Sequence, residues 1–439
     1  MKFDLIVIII ILITKLSTSL IFLPFRIEKN LDGHIFSYNI NANIEIGSPP
    51  QKIDCSISFE IADYYLKYKS NDTNYVFNKS LSNSFIKVSA SNISTSEYSK
   101  GFLGSDNLYF YTDIECKNKT LFESFPIILP SDENQLLILN IGLQILNEND
   151  NSKALIYNLK SRKIINNSIW SIKFNRFNEG IIIFGRAPHE YENKNSIYNK
   201  NNLIFINTIN DNNKLFWGFN FDSVKISNLA ADKNIKGKIN PIFHGFISSY
   251  NFLLEVENFY FKQYENENIC FRSNINIENN FYIKIVCLKE KFNEKDIQQF
   301  PLLSFFNSEF NYSFIFQGRE LFLEEEENIV FNIFFKSGLS EDEWIIGRIF
   351  LMKYQVVFDN DNKLIGFYKN NDCKINCENK KINEEKNRNY LVWILIVVFL
   401  LLFVSFIFLG YFLYKNGFIC LKKKKIATEL IDDENFIGF

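Results

Sequence analysis

Short apolar runs that alternate with polar residues constrain the fold of this chain more than any other feature of its sequence. In the stretch YNINANIEIG, residues 38–47, every second residue is apolar, so Ile40, Ala42, Ile44 and Ile46 share one face. A period of two is typical of a β-strand with one buried face, because successive strand side chains point to opposite sides. Similar short runs recur up to about residue 370, and DNDNK at 359–363 has the composition of a hairpin turn. We therefore predict an all-β fold.

Two further segments are predicted to direct and anchor the chain. Residues 1–19 combine a basic start, a short apolar run and small residues, which is the pattern of a secretory signal peptide. Residues 391–413 carry no charge, and the run exceeds the ~20 residues that a transmembrane helix needs. Residues 371–390 are then a stalk and residues 414–439 a cytosolic tail. These features predict a type I protein of a secretory-pathway or cell-surface membrane, with a luminal or extracellular ectodomain.

The cysteines predict disulfides in that ectodomain. An even number precedes the membrane segment: Cys55, Cys116, Cys270, Cys287, Cys373 and Cys377. Cysteines of secreted domains usually pair. Cys270 and Cys287 are close enough in sequence to pair locally, and so are Cys373 and Cys377. Pairing Cys55 with Cys116 then follows by exclusion. Cys420, just beyond the membrane segment, is interpreted as a free thiol, with palmitoylation as the alternative.

Composition argues against several other kinds of site. The formal net charge of -2 gives no basic surface of the kind that nucleic-acid binding requires. The chain contains only 3 His and no cysteine spacing typical of zinc. We therefore predict no nucleic-acid partner, no metal and no cofactor.

Five motifs, in order, resemble those of the pepsin-like aspartic peptidases. They are YNINANIEIGSPPQ (38–51), GFLGSDNLYF (101–110), IWSIKFNRFNEGIIIFG (169–185), LFWGFNFDSVKI (215–226) and EWIIGRIFLMKYQVVFDNDNKLIGF (343–367). The last is the most specific, since it is similar to the family pattern W-I-L-G-D-x-F-L-R-x-Y-Y-x-V-F-D. The resemblance implies a bilobal pepsin-like fold, with an N-terminal lobe over 20–205 and a C-terminal lobe over 206–370. A cleft between the lobes would bind an extended peptide.

The positions of that family's catalytic pair lack carboxylates in this chain. Family members carry two Asp residues, each in an Asp-Thr/Ser-Gly turn of one lobe, which share a proton and activate water. Here the first position falls on Ser58, in Ser-Phe-Glu. The second falls on His244, or on Phe243 if Gly245 keeps the family glycine. Neither Asp-Thr-Gly nor Asp-Ser-Gly occurs anywhere in the chain. We therefore expect no catalytic residue and no peptidase activity.

Two other chemistries fit these residue types but lack partners. Ser58 and His244 could form a Ser-His dyad, yet no third residue or oxyanion hole is visible in the sequence. His244 and Glu60 supply too few ligands for a metal ion. The nearby carboxylates of Asp54, Asp63 and Glu60 are interpreted as surface or turn charges.

The region of the family's flap also departs from the family pattern. Members have Tyr-Gly-x-Gly there, whereas this chain has SNISTSEYSK at 91–100, with Tyr98 as the nearest tyrosine. Tyr64, Tyr65 and Tyr98 are the aromatic residues that we expect to line the cleft.

Asn-x-Ser/Thr sequons mark candidate glycosylation sites on the ectodomain. They are Asn71, Asn78, Asn92, Asn118, Asn166 and Asn311.

These observations predict a pepsin-like ectodomain that has lost proteolysis and binds a peptide or protein in its cleft. The first alternative is an active membrane-anchored aspartic endopeptidase with relocated carboxylates. The second is a structural or adhesive surface protein that does not use the cleft. An open cleft lined by aromatic residues would separate the binding function from the adhesive one.

Overall fold

The computed structural model describes most of the region between the predicted signal peptide and the predicted membrane segment. The described residues are 20–29, 38–68, 75–89, 101–130, 137–145, 153–176, 178–192, 198–227, 229–277, 280–369 and Tyr411. The chain divides into two compact units, Met1–Asp372 and Cys373–Phe439. All described residues except Tyr411 lie in the first unit.

Strands dominate the described residues, as the alternating pattern predicts. They are β1 (Ile21–Lys29), β2 (Tyr38–Ile46), β3 (Gln51–Ser58), β4 (Tyr64–Tyr68), β5 (Ile86–Ser89), β6 (Gly101–Tyr111), β7 (Lys119–Pro130), β8 (Leu137–Gly142), β9 (Ile169–Arg176), β10 (Glu179–Phe184), β11 (Leu203–Asn207), β12 (Ile209–Asp211), β13 (Lys214–Phe216), β14 (Gly218–Ile226), β15 (Leu229–Ile239), β16 (Phe246–Ser249), β17 (Cys270–Ile277), β18 (Asn280–Leu288), β19 (Leu303–Asn307), β20 (Tyr312–Phe316), β21 (Phe322–Glu325), β22 (Asn328–Phe331), β23 (Ile333–Lys336), β24 (Glu343–Ile346), β25 (Val356–Asp359) and β26 (Leu364–Tyr368).

The helical segments are short and lie between strands. The α-helices are Leu155–Ser161, Pro188–Tyr191, Tyr250–Val256, Lys262–Asn266, Glu294–Gln299, Gly318–Leu321 and Arg348–Lys353. Two 3₁₀ turns (Lys79–Leu81 and Lys200–Asn202) and a π-helical turn (Glu257–Phe261) complete the described helical segments.

The first large sheet combines the strands of the N-terminal half with two strands from the other end of the described chain. Its order is β11-β26-β25-β9-β10-β1-β2-β3-β8-β4-β7-β6-β5. Strand β2 pairs antiparallel with β1 and β3, and its residues Ile40, Ala42, Ile44 and Ile46 are buried. The one-sided burial predicted from the period-two pattern is therefore confirmed.

The second large sheet is built from the C-terminal half. Its order is β20-β19-β14-β15-β24-β16-β23-β18-β22-β21, and β17 pairs with β18. Most strand pairings in this sheet are antiparallel, but the pairings of β15 with β24 and of β16 with β23 are parallel. The two large sheets confirm the predicted all-β, bilobal architecture.

The hairpin predicted at DNDNK is present between β25 and β26. The Asp359 carboxylate accepts hydrogen bonds from the backbone N–H groups of Asp361 and Asn362, at 2.9 and 3.0 Å. Lys363 has a φ of 58°, so it takes the left-handed conformation that closes many hairpins. Through β25, this hairpin pairs with β9, so the last two described strands belong to the first sheet.

An aromatic cluster packs where the two halves meet. The Trp170 ring on β9 stacks on Phe358 of β25 with centroids 3.8 Å apart. Trp217, just before β14, packs edge-on against Trp170 at 6.1 Å and against Phe358 at 5.3 Å. The Trp217 indole N–H donates to the carbonyl oxygen of Leu143 at 2.7 Å. This bond joins the start of β14 in the second sheet to the loop after β8 in the first.

The cysteines follow the prediction in part. Cys270 and Cys287 form a disulfide, because the β17–β18 register places them directly opposite each other. The predicted pair of Cys55 and Cys116 is wrong, since both are free thiols. Cys55 lies buried within β3, between Ala42 and Leu139 of the neighbouring strands. The buried strand holds its side chain in the core, where burial raises the pKa of the thiol.

No helix within the described ranges is long and apolar enough to cross a membrane. The predicted membrane segment at 391–413 lies outside those ranges apart from Tyr411. The predicted signal peptide, stalk and tail lie outside them too, as do Cys373, Cys377 and Cys420.

The disulfide provides a stability test. Replacing Cys270 and Cys287 together by Ala should lower the free energy of unfolding by about 3 kcal/mol, because a cross-link over a loop of this length restricts the unfolded chain. Denaturant unfolding of both forms would measure the change. Cys116→Ser removes a thiol that is not cross-linked and is the matched control. Equal stabilities of the parent and the double variant would contradict the assignment.

Candidate functional site

The loop after β3 is held by a strand pair. Strand β8 runs parallel to β3 and antiparallel to β4, so Ile141 faces both Ile57 and Tyr64. The intervening loop, residues 58–63, is fixed by backbone bonds: the Leu143 N–H donates to the Ser58 carbonyl at 2.8 Å. Ser58 therefore sits at the point where β3 ends and the chain turns.

The second sheet contains the same unit. Strand β24 runs parallel to β15 and antiparallel to β16, so Ile346 faces both Ile239 and Phe246. Asn240 follows Ile239 directly, and its backbone N–H donates to the carbonyl of Ile346 at 2.9 Å. Asn240 therefore marks the end of β15 as Ser58 marks the end of β3.

The two units correspond residue by residue. The same number of residues separates Ile57 from Tyr64 as separates Ile239 from Phe246. In each unit, both of these residues pair with a single residue of the central strand. A glycine follows that residue in both units. A Cβ there would lie 2.5 Å from loop backbone at Gly142 and 2.0 Å from it at Gly347. By this register, Ser58 is equivalent to Asn240.

A local hydrogen bond supports this equivalence independently. The Ser58 hydroxyl accepts from the backbone N–H of Glu60 at 3.3 Å. The Asn240 side-chain oxygen accepts from the backbone N–H of Ile242 at 3.2 Å. In both loops the side chain at the first position binds the backbone two residues later, so both loops keep the same turn.

The placement of the second catalytic position at His244, with Phe243 as the alternative, is therefore corrected to Asn240. The alternative placement at Phe243 relied on Gly245 as the family's turn glycine. In the structure Gly245 is required for packing, since a Cβ there would lie 1.9 Å from the carbonyl oxygen of Asn332. His244 is buried, and its Nδ1 lies 2.9 Å from the side-chain oxygen of Asn332. It faces the interior of the C-terminal half rather than Ser58.

The electrostatic environment of His244 favours the neutral ring. Burial and, second, the neighbouring Arg348 guanidinium lower its pKa to about 3, against a smaller opposing effect of the bond to Asn332. Arg348 is itself fully buried and stands where the family pattern W-I-L-G-D has an acidic residue. An acidic position of the family pattern is thus basic in this chain.

One side-chain bond connects the two loops directly. The Asn240 amide donates to the Glu60 carboxylate at 2.9 Å. Glu60 is exposed, whereas its neighbour Phe59 is buried and packs against Trp170 at 6.0 Å. The side chain of the first loop that binds Asn240 is therefore a carboxylate, paired with an amide.

A cavity of about 230 Å³ opens beside these loops. Ser58 and Ile242 line it, together with Tyr65, Lys67 and Asn140. The Asn140 amide nitrogen is buried and has no hydrogen-bond partner among the described residues. The cavity therefore offers hydroxyl, amide and ammonium donors beside apolar side chains.

The predicted cleft tyrosines have three different outcomes. Tyr65 lines this cavity, although little of its side chain is exposed. The expectation for Tyr64 is corrected, because its ring points to the core and packs edge-on against Phe125 at 6.0 Å. Side chains alternate along β4, so Tyr64 and Tyr65 point to opposite faces of the sheet. Burial raises the pKa of Tyr64 well above its ordinary value. Tyr98 lies outside the described residues.

The remaining predicted site residues are on the surface or outside the described ranges. Among the sequons, Asn118, Asn166 and Asn311 are exposed. Asn78 is half-buried, and its side chain accepts from the backbone N–H of Ser80 at 3.0 Å. Asn71 and Asn92 lie outside the described ranges. Use of these sites stays a prediction. Within the same ranges, no group of three or more His, Cys, Asp or Glu is placed to hold a metal ion.

The buried His244 gives a pH prediction. Its pKa is near 3 when folded and ordinarily about 6.5, so between these values only the unfolded chain binds the proton. Stability contributed by the neutral ring is present above about pH 6.5 and is lost as the pH falls. From pH 7 to pH 4 this loss should be about 3 kcal/mol.

Denaturant unfolding at both pH values would measure it in the parent and in His244→Gln. Protonation of other groups, including His189, affects the stability of both proteins equally and cancels in the comparison. Parallel pH dependence in the two proteins would contradict the assignment, as would a His244 ring resonance that titrates near pH 6.

Comparisons with known proteins agree with this geometry. The family model described as eukaryotic aspartyl protease matches residues 39–370. No curated protein matches the sequence. Two similar solved structures are basic 7S globulin from soybean (TM-score 0.58, 12% identity) and conglutin gamma, a basic 7S globulin from lupine seeds (TM-score 0.55, 14% identity). Each alignment covers 81% of this chain and 96% of the other, and at these identities the likeness concerns the fold alone. From the family match, the chain belongs to the eukaryotic aspartyl protease family.

Proposed function

We propose that this chain is a proteolytically inactive member of its family that binds a peptide or protein beside the two loops. One observation carries the proposal: the two equivalent loop positions hold Ser58 and Asn240, a hydroxyl and an amide. Peptide hydrolysis by this family's mechanism needs a general base and a general acid at one point. Neither a serine hydroxyl nor an asparagine amide titrates between pH 3 and pH 7.

The alternative of a relocated active site has less support. Glu60 is the carboxylate that reaches the opposite loop, and there it accepts from the Asn240 amide. An amide cannot share a proton with a carboxylate as a second Asp does. Asp54, in turn, binds Asn43 and the Tyr75 backbone. A working pair would therefore need a rearrangement of these contacts.

A binding role is supported by the cavity beside the loops. Its donors, from Ser58, Lys67 and the buried Asn140 amide, suit a ligand rich in carbonyl or carboxylate oxygens. Ile61 and Ile242 add apolar surface. An extended peptide presents both kinds of group, which favours a cleft ligand over an adhesive function elsewhere on the surface.

The membrane topology belongs to the same proposal. The apolar segment at 391–413 and the signal-like residues 1–19 support a type I membrane protein with this domain on the luminal or extracellular side. Protease-accessibility mapping of the chain in sealed microsomes would test it, since an inverted topology would leave the domain open to digestion.

The purified full-length chain should cleave no unfolded protein substrate at any pH from about 3 to 7. Loss of either acid or base catalysis usually slows a reaction by about 10²–10⁴-fold, and here both groups are absent. Ser58→Asp combined with Asn240→Asp should restore little, because Phe59 and Glu60 still replace the rest of the family turn. Product release measured by mass spectrometry would check both proteins. Cleavage by the unmodified chain that a statine-type inhibitor blocks, and that Glu60→Gln or Asp63→Asn abolishes, would establish the relocated site instead.

Filling the cavity should weaken binding. Ser58→Trp places an indole at the cavity wall and should reduce the affinity for an unfolded protein, such as carboxymethylated casein, by about tenfold. Ser161→Trp, on an exposed helix end, is the matched control. Biolayer interferometry with both variants would measure the effect. Equal affinities would favour the adhesive function, in which the cleft is not used.

A further inference from the structure

A second pocket lies in the C-terminal half, away from the loops of Ser58 and Asn240. It has a volume of about 260 Å³ and shares no lining residue with the cavity beside those loops. We call it the Trp344 pocket. The residues that matter for its chemistry are Ser248, Phe252, Glu255, Glu341, Asp342 and Trp344.

Strand β15, strand β16, a helix, and strand β24 with the turn before it build the Trp344 pocket. Ser248 belongs to β16, and the chain continues directly into the helix Tyr250–Val256, which carries Phe252 and Glu255. Glu341 and Asp342 lie on the turn that precedes β24, which supplies Trp344. Phe252 and Trp344 pack edge-on at 5.1 Å and are both buried. They form an aromatic wall below an acidic rim.

The charge of the rim is of one sign. Glu255 and Glu341 are exposed and Asp342 is half-buried, and no Lys, Arg or His lines the pocket among the described residues. Glu341 accepts from the Asn251 amide, and Asp342 accepts from the Ser340 hydroxyl. These contacts use one oxygen of each carboxylate, so acceptor capacity remains on the rim.

The buried hydroxyl of Ser248 is an independent observation that points to a ligand. Ser248 is 1% exposed, lines the pocket, and its hydroxyl has no hydrogen-bond partner among the described residues. A buried polar group without a partner destabilises a protein, and an alanine would avoid that cost. A ligand that binds the hydroxyl would compensate for the cost.

The shape of the site favours an organic cation over a metal ion. A metal ion requires ligands that converge on one point, and no group of three or more His, Cys, Asp or Glu within the described ranges does so. Carboxylates spread around an aromatic wall instead suit an extended organic cation. An ammonium has three donors for the hydroxyl and the carboxylates, and aromatic rings attract cations and apolar chains alike.

We propose that the Trp344 pocket binds a small organic ammonium, a protonated primary amine that carries a short apolar chain or ring. The ammonium lies between Ser248 and the acidic rim, and the apolar part packs on Phe252 and Trp344. The volume of about 260 Å³ is below the ~300 Å³ at which sites for drug-sized molecules begin, so the ligand is small.

The test uses 2-phenylethylammonium as the probe and the purified full-length chain. Isothermal titration calorimetry should show saturable binding at neutral pH. The neutral analogue 2-phenylethanol, which keeps the ring but lacks the charge, should bind about tenfold more weakly. Added salt should weaken binding of the ammonium and leave that of the alcohol unchanged.

Variants test the two sides of the proposed contact. Glu255→Gln removes one rim charge and should weaken binding about fivefold. Ser248→Ala should weaken it similarly, yet raise the Tm of the unliganded protein by about 2 °C, since an unpaired hydroxyl is removed. Glu309→Gln removes an exposed carboxylate outside the pocket and should change neither quantity.

Three outcomes would overturn the proposal. They are no binding of the ammonium at millimolar concentration, equal affinity for the alcohol, and equal effects of Glu255→Gln and Glu309→Gln. The first two are measured on the unmodified chain, so they decide the question even where a variant does not fold.

Discussion

The packing of Trp170 between Phe358, Trp217 and Phe59 is the contact on which the arrangement of the site depends. Trp170 and Phe358 belong to strands that are far apart in sequence. Their stacking accompanies the β9–β25 pairing, which joins β25, β26 and β11 to the rest of the first sheet. Trp217 brings the start of the second half onto the same cluster. Large aromatic side chains bury much apolar area at defined geometry, so this cluster fixes the two halves beneath the loops.

The backbone of the two loops is maintained by contacts that do not involve catalytic side chains. Each loop is defined by strand pairing to one central residue, Ile141 in the first sheet and Ile346 in the second. The glycine that follows, Gly142 or Gly347, packs closely against the loop backbone. A serine and an asparagine can therefore occupy the two equivalent positions without loss of the turn. The bond between Glu60 and Asn240 then links the loops with groups that have no role in this family's chemistry.

Prediction of the site from sequence was limited by the same packing. Gly245 follows an apolar run as the family's turn glycine does, but its function is to pass close to Asn332. Counting from that glycine leads to Phe243 and aligning the motif leads to His244, whereas the strand register leads to Asn240. The Cys55–Cys116 pair failed because exclusion among cysteines carries no information on which face of β3 is buried. Tyr64 and Tyr65 are neighbours on a strand and face opposite ways, so only Tyr65 lines the cavity.

The sequence alone determined the all-β class, the one-sided burial of β2, the turn at DNDNK, the local pair of Cys270 and Cys287, and the family. Each of these depends on residues near one another in the chain or on an ordered set of motifs. Only the tertiary structure decided that Asn240 is the counterpart of Ser58, that His244 is buried beside Arg348, and that Ser248 meets an acidic rim. Those relations arise from the pairing of strands distant in sequence, whose register no local pattern specifies.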